Sequence, residues 1–186
     1  MAGHGPAASG GAGMSAFDRA FTVVVGIEGG FTANPADPGN WTGGACGVGV
    51  CRGTKFGVSA ASYPALDIAG LVEADARAIY RRDYWDRVCG DALPPPLALL
   101  VFDAAVNAGV GRAVRWLQEA AGVAVDGAIG PRTLSALALG PGAALMAEFQ
   151  ARRLLFMAGL PGWRRFGGGW ARRLCRLPYD AIGIGV

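Results

Sequence analysis

Apolar side chains recur at helical spacing along most of the 186 residues. Residues 15–28 open with a Ser-x-x-Asp capping pattern and place Phe17, Phe21, Val24 and Glu28 on one stripe, which predicts an amphipathic helix closed by Gly29 and Gly30. Glu28 then falls on the apolar face at the last turn, beside the negative end of the macrodipole. Residues 31–64 are rich in Gly, Pro, Asn and Asp and predict a long loop, with β-compatible pieces around Gly47–Val50 and Lys55–Ser59. Residues 69–88 predict a second amphipathic helix with Val72, Ala76, Ile79 and Tyr80 on one face, ended by the Pro94-Pro95-Pro96 break. Leu97–Ala108 is nearly all apolar and reads as a central buried helix, and Arg112–Ala121 follows as an amphipathic one. Asp126-Gly127 makes a turn, Gly130-Pro131 starts a short helix, Ala143–Ala158 forms the longest late helix, and Trp163–Arg176 closes the fold. The class predicted is mainly α.

Composition narrows the function. With 52% hydrophobic and 17% charged residues the chain can bury one core. Residues 1–13 read as a disordered leader without the features of a secretory signal, and no apolar run approaches the ~20 residues of a membrane span. The single histidine, His4, lies in that leader, and Cys46, Cys51, Cys89 and Cys175 form no CxxC pair. Zinc chemistry and histidine-assisted serine or cysteine nucleophiles are therefore disfavoured, and no metal or cofactor is expected. Cys46 and Cys51 bracket a Gly-rich loop, as a small disulfide or as free thiols. Gly47–Lys55 superficially resembles a phosphate loop but has Thr and Lys in the wrong order. Residues 140–186 carry seven arginines against Glu148 and Asp180, so the C-terminal face should attract anions, although no nucleic-acid recognition motif accompanies them.

A carboxyl among apolar side chains stays protonated toward neutral pH, which is what a general acid for glycoside cleavage requires. Of four glutamates, Glu28 has that setting, while Glu73, Glu119 and Glu148 read as solvent-facing. A glutamate at a helix end before two glycines is also a common structural arrangement. Asp37, in the Asn34–Gly39 loop, either supplies the second carboxylate of a hydrolase or ties its own turn. Trp41, Tyr84 and Trp85 offer faces on which a sugar could stack, with core packing as the alternative for Trp85. Asp103 and Asn107, one helical turn apart, line a cleft or tie the core.

Ile27-Glu28-Gly29-Gly30-Phe31, Asp37-Pro38-Gly39, Lys55–Ser59, Ile79-Tyr80, Tyr84-Trp85-Asp86, Val101–Gly109, Leu117-Gln118 and Val125–Thr133 together resemble glycoside hydrolase family 108, muramidase-like enzymes of phages and bacteria. The resemblance covers roughly residues 17 to 176. It implies a lysozyme-like helical bundle with a small loop and β-hairpin lobe, a catalytic half over residues 14–96, and a helical half over 97–186. Within the latter, Val101–Thr133 resembles a predicted peptidoglycan-binding segment, and both halves are expected in one compact unit. It also implies Glu28 as proton donor, followed by an aspartate, Asp37, and a threonine. The chain departs from the family where Asn40 replaces a glycine and extra residues intervene, leaving Thr42 or Thr54 as the matching threonine. Thr54 keeps the local frame and makes Trp41–Gly53 an insertion.

The function this implies is an endolysin-like N-acetylmuramidase. Glu28 would act as general acid, with Asp37 and Thr54 positioning water or steadying the oxocarbenium-like transition state, and Trp41, Thr42, Tyr84, Trp85, Asp103 and Asn107 contacting the glycan. The alternatives are a lytic transglycosylase and a non-catalytic wall-binding or secretion-assisting protein. The expected partner is bacterial peptidoglycan, met by a monomer that does not insert in membranes. It would be made in the cytoplasm and reach the periplasm or wall through a holin, a secretion system or a phage-like particle.

Overall fold

Ser15 sets the start of the first helix, α1 (Ala16–Val25): its hydroxyl accepts the Asp18 N–H at 3.1 Å and donates to the Asp18 carboxylate. That hydroxyl, and then the Arg77 guanidinium, hold the Asp18 carboxyl below its ordinary range against the opposing effect of burial. Phe17 and Phe21 are buried as the stripe predicts, but α1 is shorter than expected. Gly26, with φ +80°, ends it, because a residue with a Cβ would be strained in that conformation. The computed structural model describes residues 14–26, 30–138 and 142–183. The leader over 1–13 and Glu28 itself lie outside the described residues.

The small lobe carries one two-stranded antiparallel sheet, β1 (Thr54–Lys55) and β2 (Val58–Ser59), with Thr54 opposite Ser59 and Lys55 opposite Val58. Phe56 and Gly57 form the connecting turn with φ of +51° and +73°, the mirror-image turn that matches strand twist. The turn docks on the helical lobe so closely that a Cβ on Gly57 would lie 2.4 Å from the Tyr80 hydroxyl. The expected strand near Gly47–Val50 is instead a series of tight turns.

α2 (Glu73–Tyr80) buries Ala76, Ile79 and Tyr80, whereas Val72 is 57% exposed at its N-cap and off the expected face. The helix continues as a π-helical turn, Arg81–Trp85, and a 3-10 turn, Asp86–Val88. The wider turn leads Trp85 into the core, where it meets Phe17 and Phe102 edge-on at 5.5 Å each. α3 (Pro95–Ala108) is the central element: every residue from Leu97 to Ala105 is buried, around the whole helix. α4 (Val110–Ala120), α5 (Pro131–Leu137), α6 (Ala143–Ala158) and α7 (Trp163–Ile182) pack around it, and one apolar cluster runs from Phe17 through α3 to Ala181. Between α4 and α5, buried Gln118 accepts the Gly127 N–H at 2.9 Å and donates to the Asp126 carboxylate at 2.7 Å, which fixes the Asp126-Gly127 turn.

α7, not α6, is the longest late helix, because it runs through Pro178. A proline inside a helix orphans the carbonyl four residues before it. Here that carbonyl, of Leu174, accepts the Gln150 side-chain amide at 2.8 Å, so the helix continues. Among the described residues no helix is long and apolar enough to cross a membrane.

The core contains a carboxylate. Asp103 on α3 is fully buried and ion-paired with Arg153 of α6, itself fully buried, and with Arg173 of α7. Arg153 also donates to Gln150 at 2.9 Å. Burial pulls its guanidinium below the ordinary arginine range, and the Asp103 charge opposes that pull. Asp103→Ala leaves Arg153 buried without its counter-charge and is expected to cost about 3–5 kcal/mol in urea denaturation. A loss below about 1 kcal/mol would show that the pair does not hold the bundle together.

Candidate active site

The loop after α1 is organised by one buried amide. Asn40, fully shielded from solvent, donates from Nδ2 to the Asn34 carbonyl at 3.0 Å and accepts the Thr54 hydroxyl on Oδ1 at 2.7 Å. Its backbone carbonyl accepts the N–H groups of Arg52 and Gly53 at 2.9 and 3.1 Å. The departure from glycine at this position thus brings a side chain that joins both ends of the insertion. Thr54 also pairs through its backbone with Thr32, by bonds of 2.8 and 2.9 Å. Thr32 lies just beyond the Glu28 segment in the chain, so Thr54, Asn40 and the strand leaving that segment form one unit.

Asp37 caps the 3-10 turn Pro38–Asn40, its Oδ1 accepting the Gly39 N–H at 2.9 Å. The carboxylate is exposed, and among the described residues its Oδ2 accepts no hydrogen bond. The turn-tying role is therefore real, and it leaves one oxygen facing solvent in a fixed orientation.

The insertion closes on itself without a disulfide. All four cysteines are free thiols, with Cys46 exposed and Cys51 half-buried. The closure is made by the Trp41–Cys51 bridge, by Thr42 N–H to Val50 carbonyl at 3.0 Å, and by Val50 N–H to the Thr42 hydroxyl at 2.9 Å. Thr42 is thereby occupied within the insertion. The half-buried Trp41 is oriented by its indole N–H, which donates to the Pro35 carbonyl at 2.9 Å.

The remaining candidates separate by burial. Trp85 is fully buried, with its indole N–H donating to Asp91 at 2.9 Å, so it packs the core and presents no face to a sugar. Asp103 is likewise sealed in its ion pairs and cannot meet a ligand. Asn107 is exposed but donates back to the Asp103 carbonyl at 2.7 Å. Tyr84 remains half-exposed, its ring 5.4 Å from that of Tyr80. Beside it, Tyr63 donates to Asp83 at 2.8 Å and joins the loop lobe to the π-helical turn. Burial, then this bond, raises the Tyr63 hydroxyl far above its ordinary range, while Arg82 first and Tyr63 next lower the Asp83 carboxyl.

Sequence reasoning missed Asn40, Thr32, Arg153 and Arg173. A signal existed for Arg153, which shares a helical face with Phe149 and Phe156, where a solvated arginine has no place.

Two family models match. One described as glycosyl hydrolase 108 covers residues 21–109, and one described as a predicted peptidoglycan domain covers residues 112–175. The two regions meet at the α3–α4 joint. The structure of Brucella abortus SagA matches with TM-score 0.74 and 30% identity over 91% of this chain and 95% of that chain. A comparison with curated proteins finds no match. The chain belongs to glycosyl hydrolase family 108. It is a peptidoglycan-directed glycoside hydrolase with a lysozyme-like fold, mainly helical and bearing a two-stranded sheet.

Asn40→Ala removes the acceptor of the Thr54 hydroxyl and the donor to Asn34. It is expected to cost about 1–3 kcal/mol in urea denaturation, and to lower wall-hydrolysing activity in a dye-release assay more than this instability explains. Unchanged stability and activity would remove Asn40 from its organising role.

Proposed function

We propose that the protein is an N-acetylmuramidase, cleaving the β-1,4 bond between N-acetylmuramic acid and N-acetylglucosamine with Glu28 as general acid. The observation that carries this is the glycosyl hydrolase match over residues 21–109, which spans Glu28, Asp37 and Thr54 together. In the chain Glu28 follows Gly26, the cap of α1, by two residues and precedes Thr32, the backbone partner of Thr54, by four. In this mechanism Glu28 protonates the bridging oxygen as the bond breaks, and positive charge develops on the ring carbon and oxygen. Asp37, its carboxylate oriented by the Gly39 N–H, orients the attacking water or steadies that charge through its outer oxygen. Thr54 acts by holding Asn40 and Thr32 in register, and that link to the strand pair at Thr32 makes it a better fit to the family's threonine than Thr42, whose bonds stay within the insertion. Trp41 and Tyr84 are the aromatic faces left accessible for sugar stacking.

The catalysed bond lies in the wall, so the protein acts there after leaving the cytoplasm, as a monomer. A lytic transglycosylase differs in needing no water, and the exposed oxygen of Asp37 favours hydrolysis over it.

Glu28→Gln keeps the shape and removes the acid. It is expected to lower the rate of fragment release from purified sacculi by about 10²–10⁴-fold while the protein still pellets with them. Activity within about threefold of wild type would remove Glu28 from the acid role.

A further inference from the structure

Where α7 crosses α1, a groove of about 570 Å³ is lined by Thr22 and Val23 of α1 and by Arg172, Arg173, Arg176 and Leu177 of α7. It continues past Asp180 toward Arg19 and Tyr179. Four arginines thus line this recess beside a single lining carboxylate, Asp180. Their partners are few. Arg173 is committed to Asp103, Arg176 is 82% exposed and reaches Asp180 only at 3.6 Å, and Arg172 makes no ion pair among the described residues. Arg19 donates to the Met14 carbonyl at 2.8 Å, yet its Nε is buried with no hydrogen-bond partner among the described residues.

Arg172, without an ion pair among the described residues, and Arg176, with only a long one, leave surplus positive charge along the groove, whose mutual repulsion a bound anion would offset. Arg172 and Arg176 stand one helical turn apart, with Cβ atoms about 5–6 Å from each other, a spacing that serves neighbouring carboxylates. Val23 and Leu177 provide an apolar wall between the charges. A recess between two helices admits a slender anionic chain but not the plane of a lipid bilayer.

We propose that this groove binds the carboxylate-bearing stem peptide of peptidoglycan, with Arg172 and Arg176 as its anion-binding groups. The choice of ligand rests on the wall-directed function above. The groove would let the enzyme distinguish peptide-substituted glycan from bare sugar, a selectivity that sugar stacking alone does not supply.

The test is isothermal titration of the full-length protein with the tripeptide L-Ala–γ-D-Glu–meso-diaminopimelate, for wild type and for Arg172→Gln/Arg176→Gln. Both arginines are exposed, and an unchanged thermal midpoint shows that the variant folds. Wild type should bind in a salt-sensitive manner, and the double variant should bind about fivefold or more weakly. Methyl resonances of Val23 and Leu177 should shift on titration of the wild type. Equal binding by the folded variant, no binding by wild type, methyl shifts confined to other sites, or equally strong competition by inorganic phosphate would each overturn the proposal. Glycan release is scored separately. Tripeptide binding without any cleavage of sacculi would retain the groove and sink the muramidase reading, and the converse would do the reverse.

Discussion

The carboxylate of Asp103, sealed in the centre of the helical lobe, is the interaction around which the rest is arranged. An unpaired charge there would be costly, and the helices that supply its counter-charges, α6 through Arg153 and α7 through Arg173, are thereby tied to the buried face of α3. Apolar surfaces tolerate sliding, whereas two guanidiniums converging on one carboxylate set register as well as proximity. Arg173 extends the constraint, since it also donates to the Val24 carbonyl in the last turn of α1 at 3.4 Å. The same network therefore fixes the end of the helix from which the Glu28 segment departs and the helix whose outer face carries Arg172 and Arg176.

The loop lobe is held differently. It has little apolar interior, and its order comes from hydrogen bonds converging on Asn40, from the tight turn at Phe56-Gly57 pressed against Tyr80, and from Lys55 donating to the Ala69 carbonyl at 2.9 Å. Lobes of this kind open locally at lower free energy than a packed bundle.

Much of the helical architecture was legible in the sequence because helix formation is driven by periodic burial, and periodicity survives in a string of letters. α3 could be read from its apolar run, α5 from Gly130-Pro131, and α6 to its bounds. The failures have local causes. α1 stops at Gly26 rather than at Gly29-Gly30, since one glycine in a left-handed conformation suffices. The π-helical turn at Arg81–Trp85 leaves no mark on composition, yet it turns Trp85 inward. α7 outruns its expected end because Gln150, distant in sequence, satisfies the carbonyl that Pro178 orphans. At the site, Asp37, Thr54 and Trp41 were named from sequence. The burial of Asp103, the role of Asn40 and the free state of Cys46 and Cys51 depend on tertiary neighbours that no local pattern encodes.

The chemical identity of the ends produced from purified peptidoglycan tests the central assignment most directly. Mass spectrometry of the fragments should find reducing N-acetylmuramic acid ends, formed when water attacks the bond whose oxygen Glu28 protonates. Reducing N-acetylglucosamine ends or 1,6-anhydro ends in their place would contradict it.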